Sequence, residues 1–269
     1  LLVMCGCRGD VTDSGVSAPA AESEFEVTVL NEGQADAMLL HTKEHNVIID
    51  CGEEDDGDEL VKYLSDRGVE RIDYVFITHF DKDHVGGFPE LVENIAADKI
   101  IVPDYEGTNS EYKKYVKAVE ENGLTVIRLT EDMAFVLDDV MFEASPPQKK
   151  SYAEGDNDFS IAVSVTHGDN SFLFTGDAEE ERISEIVERF GREYDFLKVP
   201  HHGRYNKNTG VLIDTVKPKY AVICDSAKNP AEDRVTALLT AAGSEIYCTK
   251  DGTVSVKSDG SKITVAQTK

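Results

Sequence analysis

The sequence predicts an α/β domain of the αββα type, in which two β-sheets pack face to face and helices cover their outer faces. Three observations lead to this prediction. Short apolar runs typical of strands fill both halves of the chain, segments of helical periodicity separate them, and no short repeat recurs. A chain of 269 residues, 41% of them hydrophobic, is also long enough to bury one large core. We therefore expect a single domain over residues 25–269.

The first half of the chain predicts six strands and three helices. A dense apolar run over 74–78 is typical of a buried strand, and the run over 46–50 ends in Asp50-Cys51-Gly52, which indicates a turn. The remaining strands show β-type patterning, and the helices show apolar residues at helical spacing. The predicted strands are 25–30, 37–41, 46–50, 74–78, 99–102 and 124–128, and the predicted helices are 57–67, 88–97 and 110–122.

The second half is richer in strands and continues the same alternation. Strand runs there are separated by helical periods that begin at about residues 179 and 232. The predicted strands are 140–144, 159–166, 171–175, 196–199, 219–224, 245–248, 253–256 and 262–265, and the predicted helices are 179–190 and 232–242.

Residues 1–24 differ in character from the rest of the chain. They begin with an apolar stretch that includes Cys5 and Cys7 and continue into a run rich in Ser, Ala and Asp. This pattern resembles the end of a bacterial lipoprotein signal peptide followed by a polar tether, and the alternative is a scar without a role. The resemblance predicts an extracytoplasmic protein that meets the membrane only through a lipid anchor on Cys5 or Cys7.

The charge of the chain narrows the classes of partner. A net charge of −25 predicts a surface that repels polyanions, which counts against tight non-specific binding of nucleic acid without excluding a nuclease. The other cysteines, Cys51, Cys224 and Cys248, lack CxxC spacing and are predicted to be buried thiols, although an exported protein could pair two of them. No feature of the sequence predicts the oligomeric state.

Four potential metal ligands fall within six residues directly after the buried strand 74–78. They are His79, Asp81, Asp83 and His84. Imidazole nitrogens and carboxylate oxygens together suit Zn²⁺, Mn²⁺ or Fe²⁺, and a larger share of carboxylates favours harder ions. The alternative, a solvated acidic turn, would not require a histidine at each end or the Gly86-Gly87 pair that follows. The loop therefore predicts a metal site.

Here the chain resembles the metallo-β-lactamase superfamily, whose signature is His-x-His-x-Asp-His after a strand. Within that superfamily it is similar to the hydrolase domain of ComEC-type competence proteins, in which Asp replaces the second His. The resemblance runs from about residue 25 to the end of the chain and includes segments 31–36, 48–52, 175–179 and 198–203. It implies a metallo-β-lactamase fold with two mixed sheets.

The resemblance implies two divalent metal ions, with Zn²⁺ or Mn²⁺ expected first and Mg²⁺ or Ca²⁺ as alternatives. It assigns His79 and Asp81 to one ion and Asp83 and His84 to the other. Asp177, on the loop after strand 171–175, is expected to bridge the two ions, because a carboxylate offers two oxygens.

A histidine pair near residue 200 is expected to complete the site. The resemblance implies that either His201 or His202 binds the second ion while its neighbour faces the substrate or orients a ligand, and the sequence does not decide which histidine is the ligand. With Asp83, these two histidines are the expected catalytic residues. Candidate contacts for substrate phosphate are Lys82, inside the motif, and Arg204, Tyr205 and Lys207, after the pair.

Asp50 and Asp36 are candidates to support the loop 79–84, which we call the metal loop. Asp50 occupies the superfamily's early Asp position, where it is expected to orient a metal ligand, and Asp36 is a weaker candidate for a similar role. The superfamily usually has one more His before the bridging Asp. In that interval this chain has only His167, which we place in a turn, so Asn157 or a water molecule would have to serve in its place.

These features predict a metal-dependent hydrolase that acts through a metal-bound hydroxide. An oxygen-rich site favours phosphate oxygens, so the first hypothesis is a phosphodiesterase, either nuclease-like or acting on cell-surface phosphoesters. The expected substrate is therefore a small or polymeric phosphoester. The alternative is a surface-tethered binding protein whose metal site is degenerate. A β-lactamase is disfavoured by Asp81 and by the missing His.

Overall fold

The computed structural model describes residues 24–153 and 155–268, so the predicted leader with Cys5 and Cys7 lies outside the described residues. Two mixed sheets of eight and seven strands pack face to face, with helices on both outer faces, as the sequence predicts. The eight-stranded sheet has the order β15-β14-β1-β2-β3-β4-β5-β6. Its strands are β1 (Phe25–Val29), β2 (Ala37–His41), β3 (Asn46–Cys51), β4 (Arg71–Phe76), β5 (Ala96–Pro103), β6 (Val126–Leu129), β14 (Thr253–Ser258) and β15 (Ile263–Thr268).

The seven-stranded sheet has the order β13-β12-β11-β10-β9-β8-β7. Its strands are β7 (Met133–Leu137), β8 (Val140–Ser145), β9 (Ala162–His167), β10 (Asn170–Phe174), β11 (Phe196–Lys198), β12 (Tyr220–Ile223) and β13 (Glu245–Cys248). The helices are α1 (Gly57–Asp66), α2 (Lys82–Val85), α3 (Phe88–Asn94), α4 (Ser110–Asn122), α5 (Glu180–Phe190), α6 (Thr209–Val216) and α7 (Asp233–Ala241).

Three apolar layers hold the sandwich together. The central layer lies between the sheets and contains interlocked rings such as Phe25, Phe142 and Phe172, with Phe25 and Phe172 in an edge-to-face contact at 5.1 Å between centroids. A second layer lies between the eight-stranded sheet and helices α1, α3 and α4. The third lies between the other sheet and helices α5, α6 and α7. Burial of this apolar surface is the main stabilising contribution to the fold.

Parallel pairing brings the functional loops to one edge of the sandwich. Strands β3, β4, β5 and β6 are mutually parallel in one sheet, and β10, β11, β12 and β13 are parallel in the other. Loops that follow the carboxyl ends of adjacent parallel strands meet at the same edge. The segments after β3, β4, β10 and β11 therefore converge, and these are the segments that carry the predicted motifs.

The structure corrects the sequence-based elements at several places. Helix α3 ends at Asn94, because Ile95 is already extended and β5 begins at Ala96, inside the predicted helix. Strand β7 and helix α6 were not predicted, because β7 is a half-exposed edge strand and α6 is rich in β-branched residues of low helix propensity. Part of the metal loop forms the short helix α2.

The three described cysteines differ in burial. Cys51 and Cys224 are buried free thiols as predicted, whereas Cys248 is only partly buried. Within the described ranges, no helix combines the length and the apolar character that a bilayer crossing requires.

Candidate metal centre

The metal loop is clamped on both sides by backbone contacts. Phe80 is buried and fixes the loop, because its N–H donates to the Tyr105 hydroxyl at 2.9 Å and its carbonyl accepts from the Asn109 amide at 2.7 Å. On the other side a β-carbon at Gly87 would collide with the carbonyl oxygen of Cys51. The glycine pair that follows the motif thus permits the close approach of α2 to the end of β3.

Four buried donor groups face one another at the carboxyl edge of the two sheets. They are His79, His84, Asp177 and His202, each at most 3% exposed. The Nε2 atoms of His84 and His202 lie 3.3 Å and 2.9 Å from Asp177 Oδ2. These contacts lack hydrogen-bond geometry, and the three Nε2 atoms and Asp177 Oδ1 form no hydrogen bond with any described residue. Buried polar atoms without partners are unfavourable unless a ligand satisfies them.

The two acidic residues of the motif complete this donor set. Asp83 Oδ2 lies 3.3 Å from His202 Nε2, and Asp81 Oδ2 lies 3.8 Å from His79 Nε2. Asp81 is the most exposed donor, with 40% of its side chain accessible, so the side of the site near His79 is open. Imidazole and carboxylate groups around shared oxygens are the donors that Zn²⁺ and Mn²⁺ bind, and this donor set fits divalent ions.

Asp50 orients two of the imidazoles. Its carboxylate accepts hydrogen bonds from the Thr78 N–H and the Thr78 hydroxyl, both at 2.7 Å, and contacts His84 Nδ1 at 2.8 Å. The Thr78 hydroxyl also lies 3.1 Å from His79 Nδ1. With their Nδ1 atoms held in this way, His84 and His79 direct Nε2 toward Asp177.

Asp36 lies behind the imidazoles. Its carboxylate oxygens are 3.8 Å from His84 Nδ1 and 3.6 Å from His202 Nδ1, on the side of the rings away from Asp177. Asp36, His84 and His202 form one group of three clustered donors, and His79, His84 and Asp177 form another. Only the second group uses the Nε2 face, where Asp83 also lies. Asp36 therefore stands in the position of an orienting residue.

A buried lysine, which the sequence analysis missed, pairs with Asp36. Lys198, the last residue of β11, is fully buried; its Nζ contacts Asp36 Oδ2 and lies 3.8 Å from Asp177 Oδ1. Although burial opposes the shift, the fields of Asp36 and Asp177 raise the pKa of Lys198 above its ordinary value, so the ammonium is charged. The signal in the sequence was a lysine at the end of a short apolar strand.

Left-handed backbone presents Asp177 and the His pair. Gly176 is left-handed at φ 53°, and a β-carbon there would lie 2.7 Å from Ser160 Oγ, which accepts the Asp177 N–H at 3.0 Å. His201 and His202 are both left-handed, at φ 46° and 52°. Such conformations cost on the order of 1–3 kcal/mol each in non-glycine residues and are typical of functional sites.

The two histidines of the pair have different surroundings. His202 is buried and faces Asp177, whereas His201 is 22% exposed and its Nδ1 contacts Glu179 Oε1 at 2.7 Å. Asn157 donates from Nδ2 to the same Glu179 oxygen at 3.0 Å. Asn157 and His201 therefore share one Glu179 oxygen, and His201 is the more exposed member of the histidine pair.

These observations can be compared with known proteins. The sequence matches the profile of the metallo-beta-lactamase superfamily over residues 30–224. The chain belongs to this superfamily. Its members typically bind divalent metal ions and are generally hydrolases, and the clustered His and Asp donors described above lie where such ions would be held.

The relatives of this metallo-β-lactamase domain include ComEC-type proteins, which confirms the resemblance. ComE operon protein 3 of Bacillus subtilis (strain 168) is 26% identical over 230 residues, which cover 78% of this chain and 30% of that protein. Competence protein ComA of Neisseria gonorrhoeae is 28% identical over 218 residues, 78% of this chain and 29% of that protein. The chain thus spans about three-tenths of the length of these relatives.

A solved structure supports the fold. The metallo-beta-lactamase fold protein YhfI from Bacillus subtilis aligns with a TM-score of 0.55 at 13% identity, covering 84% of this chain and 96% of that chain.

The electrostatics of this metallo-β-lactamase centre favour cation binding. Burial raises the pKa of Asp81 to about 6 and lowers that of His79 below its ordinary value, so His79 is a neutral imidazole. Burial is overcome at His202, where Asp177 raises the pKa to about 9. A metal ion would take the place of the proton that His202 holds beside Asp177.

The predicted substrate contacts have mixed surroundings. Lys82 is two-thirds exposed and its Nζ lies 3.0 Å from Glu53 Oε1. Tyr205 is covered by the Arg234 guanidinium, 3.4 Å from the ring centroid, and Arg204 is exposed.

His167 ends β9 rather than lying in a turn; it is buried, and its Nδ1 lies 2.8 Å from Ser258 Oγ.

A polar cavity of about 500 Å³ adjoins the metal loop at Asp83, and we call it the acidic cavity. Its lining includes six carboxyl groups, those of Glu32, Glu53, Asp55, Asp56, Glu59 and Asp83, and two lysines, Lys82 and Lys228. Glu32 is only 7% exposed, and its Oε2 forms no hydrogen bond with a described residue. Burial and the nearby Asp56 and Glu59 raise the pKa of Glu32 to about 9.

Glu32→Gln is expected to stabilise the protein increasingly as the pH rises. Because the folded-state pKa of Glu32 lies above its ordinary value of 4.5, its contribution to stability is present below that value and is lost between pH 4.5 and about 9. The free energy of unfolding of the variant relative to the natural protein should rise by up to about 1.4 kcal/mol per pH unit in this window. Urea unfolding at several pH values measures it.

Glu70→Gln is the control for this experiment, because Glu70 is an exposed glutamate just before β4. The free energy of unfolding of Glu70→Gln should equal that of the natural protein at every pH. A constant difference between Glu32→Gln and the natural protein from pH 5 to 9 would show that Glu32 titrates normally.

Proposed function

We propose that the protein is a metal-dependent phosphodiesterase. The observation that carries the proposal is the set of orphaned buried nitrogens and carboxylate oxygens around Asp177. His79 and Asp81 would hold one ion, Asp83, His84 and His202 the other, and Asp177 both. Two divalent ions at such a site lower the pKa of bound water toward neutrality and stabilise the charge that develops on phosphate oxygens.

The residues around the donors support action on a phosphoester. The side near Asp81 is open, and the carboxylate oxygens of Asp81 and Asp177 suit hard ions that bind phosphate. Lys82 borders the acidic cavity beside Asp83 and offers an ammonium to a phosphate oxygen. His201, whose Nδ1 lies 2.7 Å from Glu179 Oε1, would donate a proton from Nε2 to the leaving oxygen.

Cleavage of bis-p-nitrophenyl phosphate tests the proposal. The protein, stripped of metal and reloaded separately with Zn²⁺, Mn²⁺, Mg²⁺ or Ca²⁺, is expected to release p-nitrophenol with at least one of these ions. Asp83→Ala should reduce the rate by roughly 100-fold or more, because it removes an anionic donor. No release with any of the four ions would contradict the proposal, and hydrolysis of a chromogenic cephalosporin would favour a β-lactamase.

One observation favours a second function, a binding protein with a degenerate centre. Asn157 contacts Glu179, and among the described residues the donors on the side of the site near His79 are His79 and Asp81, besides Asp177. One bound ion per chain without hydrolysis would support this alternative.

The Asp81→His substitution is expected to strengthen this weaker side. The natural protein should bind two Zn²⁺ ions with unequal affinity. In the variant a second imidazole beside His79 supplies a softer donor, so the ratio of the two Zn²⁺ affinities should decrease by roughly tenfold or more. Titration calorimetry of metal-free protein measures both affinities. Asp104→His, at the half-buried residue directly after β5, is the control and should leave both affinities unchanged. Equal affinities in the natural protein would contradict the expectation.

A further inference from the structure

The proposed hydrolysis leaves the acidic cavity without a role. With Glu32 neutral below its raised pKa of about 9, its five other carboxyl groups still outnumber its two lysines, and Lys82 already contacts Glu53 at 3.0 Å. A cavity with such walls carries a negative potential that favours a cation and repels an anion.

Glu32 adds an observation independent of this charge count. It is more than nine-tenths buried, it lines the cavity, and its Oε2 has no hydrogen-bond partner among the described residues. The Ala35 N–H donates to the Glu32 carbonyl at 3.1 Å, and this turn fixes the residue. Left-handed Gly52 makes room for Oε2, because a β-carbon there would lie 2.6 Å from it. A buried carboxyl without a partner is unfavourable in the free protein, and a cation beside it would stabilise its ionised form.

The cavity and the metal centre adjoin at one shared residue. Asp83 is both a cavity wall and a donor in the centre. The Asp36 N–H donates to the Asp83 carbonyl at 2.9 Å, and the Gly52 N–H donates to the Asp36 carbonyl at 2.8 Å. These bonds fix the segment that carries Glu32 to the metal loop, so one ligand can extend from the centre into the cavity.

The spacing of the carboxyl groups favours an organic cation over a metal ion. In the described ranges, the two groups of three donors that cluster within 4.8 Å both include His84, and neither includes Glu32, Asp56 or Glu59. Ca²⁺ and Mg²⁺ require about six oxygens at roughly 2.0–2.6 Å, whereas an ammonium is stabilised by carboxylates that are spread around it. The flanking phosphates of a nucleic acid would lie against these carboxylates and be repelled by them, so the cavity disfavours a nucleic acid.

We propose that the acidic cavity binds an ammonium group on one arm of a phosphodiester whose phosphate lies at the metal centre. This proposal rests on the phosphodiesterase function proposed above and names its substrate class, an aminoalcohol phosphodiester rather than a nucleic acid.

Two isosteric esters test it with the full, Zn²⁺- or Mn²⁺-loaded protein. p-Nitrophenyl 2-(trimethylammonio)ethyl phosphate and p-nitrophenyl 3,3-dimethylbutyl phosphate differ only by nitrogen for carbon, and thus by one positive charge. The kcat/KM of the cationic ester is expected to exceed that of the neutral ester by roughly tenfold or more. The ratio should fall in Glu32→Gln and also in Glu59→Gln, an exposed residue whose change leaves the core intact. Glu70→Gln should keep the natural ratio.

A binding measurement separates this proposal from the proposed function. Calorimetry compares phosphorylcholine with 3,3-dimethylbutyl phosphate on the same metal-loaded protein, and tighter binding of the cationic ester is expected. Equal kcat/KM values for the two p-nitrophenyl esters overturn the ammonium site and leave the phosphodiesterase function standing. If no phosphodiester is cleaved, the function fails, and the relative affinity of the two monoesters alone decides the ammonium site.

Discussion

Lys198→Met is expected to lower the free energy of unfolding of the metal-free protein by about 3–5 kcal/mol. The substitution leaves the buried Asp36 carboxylate without its cationic partner, and Asp36 is fully buried. Methionine fills nearly the same volume, so the effect reports the charge and not a cavity. Urea unfolding measures it, with metal removed so that ion binding adds nothing to stability.

Two further variants give this prediction its control. Lys198→Met combined with Asp36→Leu removes both charges and should recover a large part of the loss. Lys62→Met breaks the exposed pair with Asp66 on α1 and should change stability little. If Lys198→Met alone unfolds at the same urea concentration as the natural protein, Asp36 and Lys198 do not form a charged buried pair.

Asp177→Asn is expected to reduce kcat/KM for bis-p-nitrophenyl phosphate by roughly 10³-fold. The carboxylate faces both His84 and His202 at about hydrogen-bond distance, and the amide lacks the negative charge and the second anionic oxygen that two ions would share. A loss of several kcal/mol of transition-state stabilisation corresponds to this factor. Steady-state rates and metal content, measured on the same sample, test it.

Asp169→Asn, in the exposed turn between β9 and β10, is the matched control and should retain the natural rate and metal content. If Asp177→Asn kept its rate within tenfold while binding one ion, a bridging role would be excluded.

Local signals explain how much of the fold the sequence could predict. Helix α4 matches its predicted bounds because the Asn109 side chain caps its first turn and left-handed Gly123 ends it. Helix α6 escaped prediction because tertiary packing of Leu212 and Ile213 overrides the low propensity of its β-branched residues. The boundary between α3 and β5 was misplaced because the Ala96-Ala97 pair is compatible with a helix.

The motif predicted which residues gather at the site, but not how they divide their tasks. His201 and His202 are adjacent and chemically identical, and only the left-handed turn directs one to Asp177 and the other to Glu179. Lys198 was missed because lysines are rarely buried, and its burial depends on the distant Asp36. The contact between Asn157 and Glu179 is equally non-local.

The donors around Asp177 come from different layers of the sandwich. His79, Asp83 and His84 follow a strand of the eight-stranded sheet, whereas Asp177 and His202 follow strands of the seven-stranded sheet. An ion held among these donors would cross-link the two sheets, in addition to the apolar layer that lies between them. Removal of the ion by a chelator would then remove this cross-link as well as the metal that supplies the chemistry. The loops at this edge would open before the sheets separate.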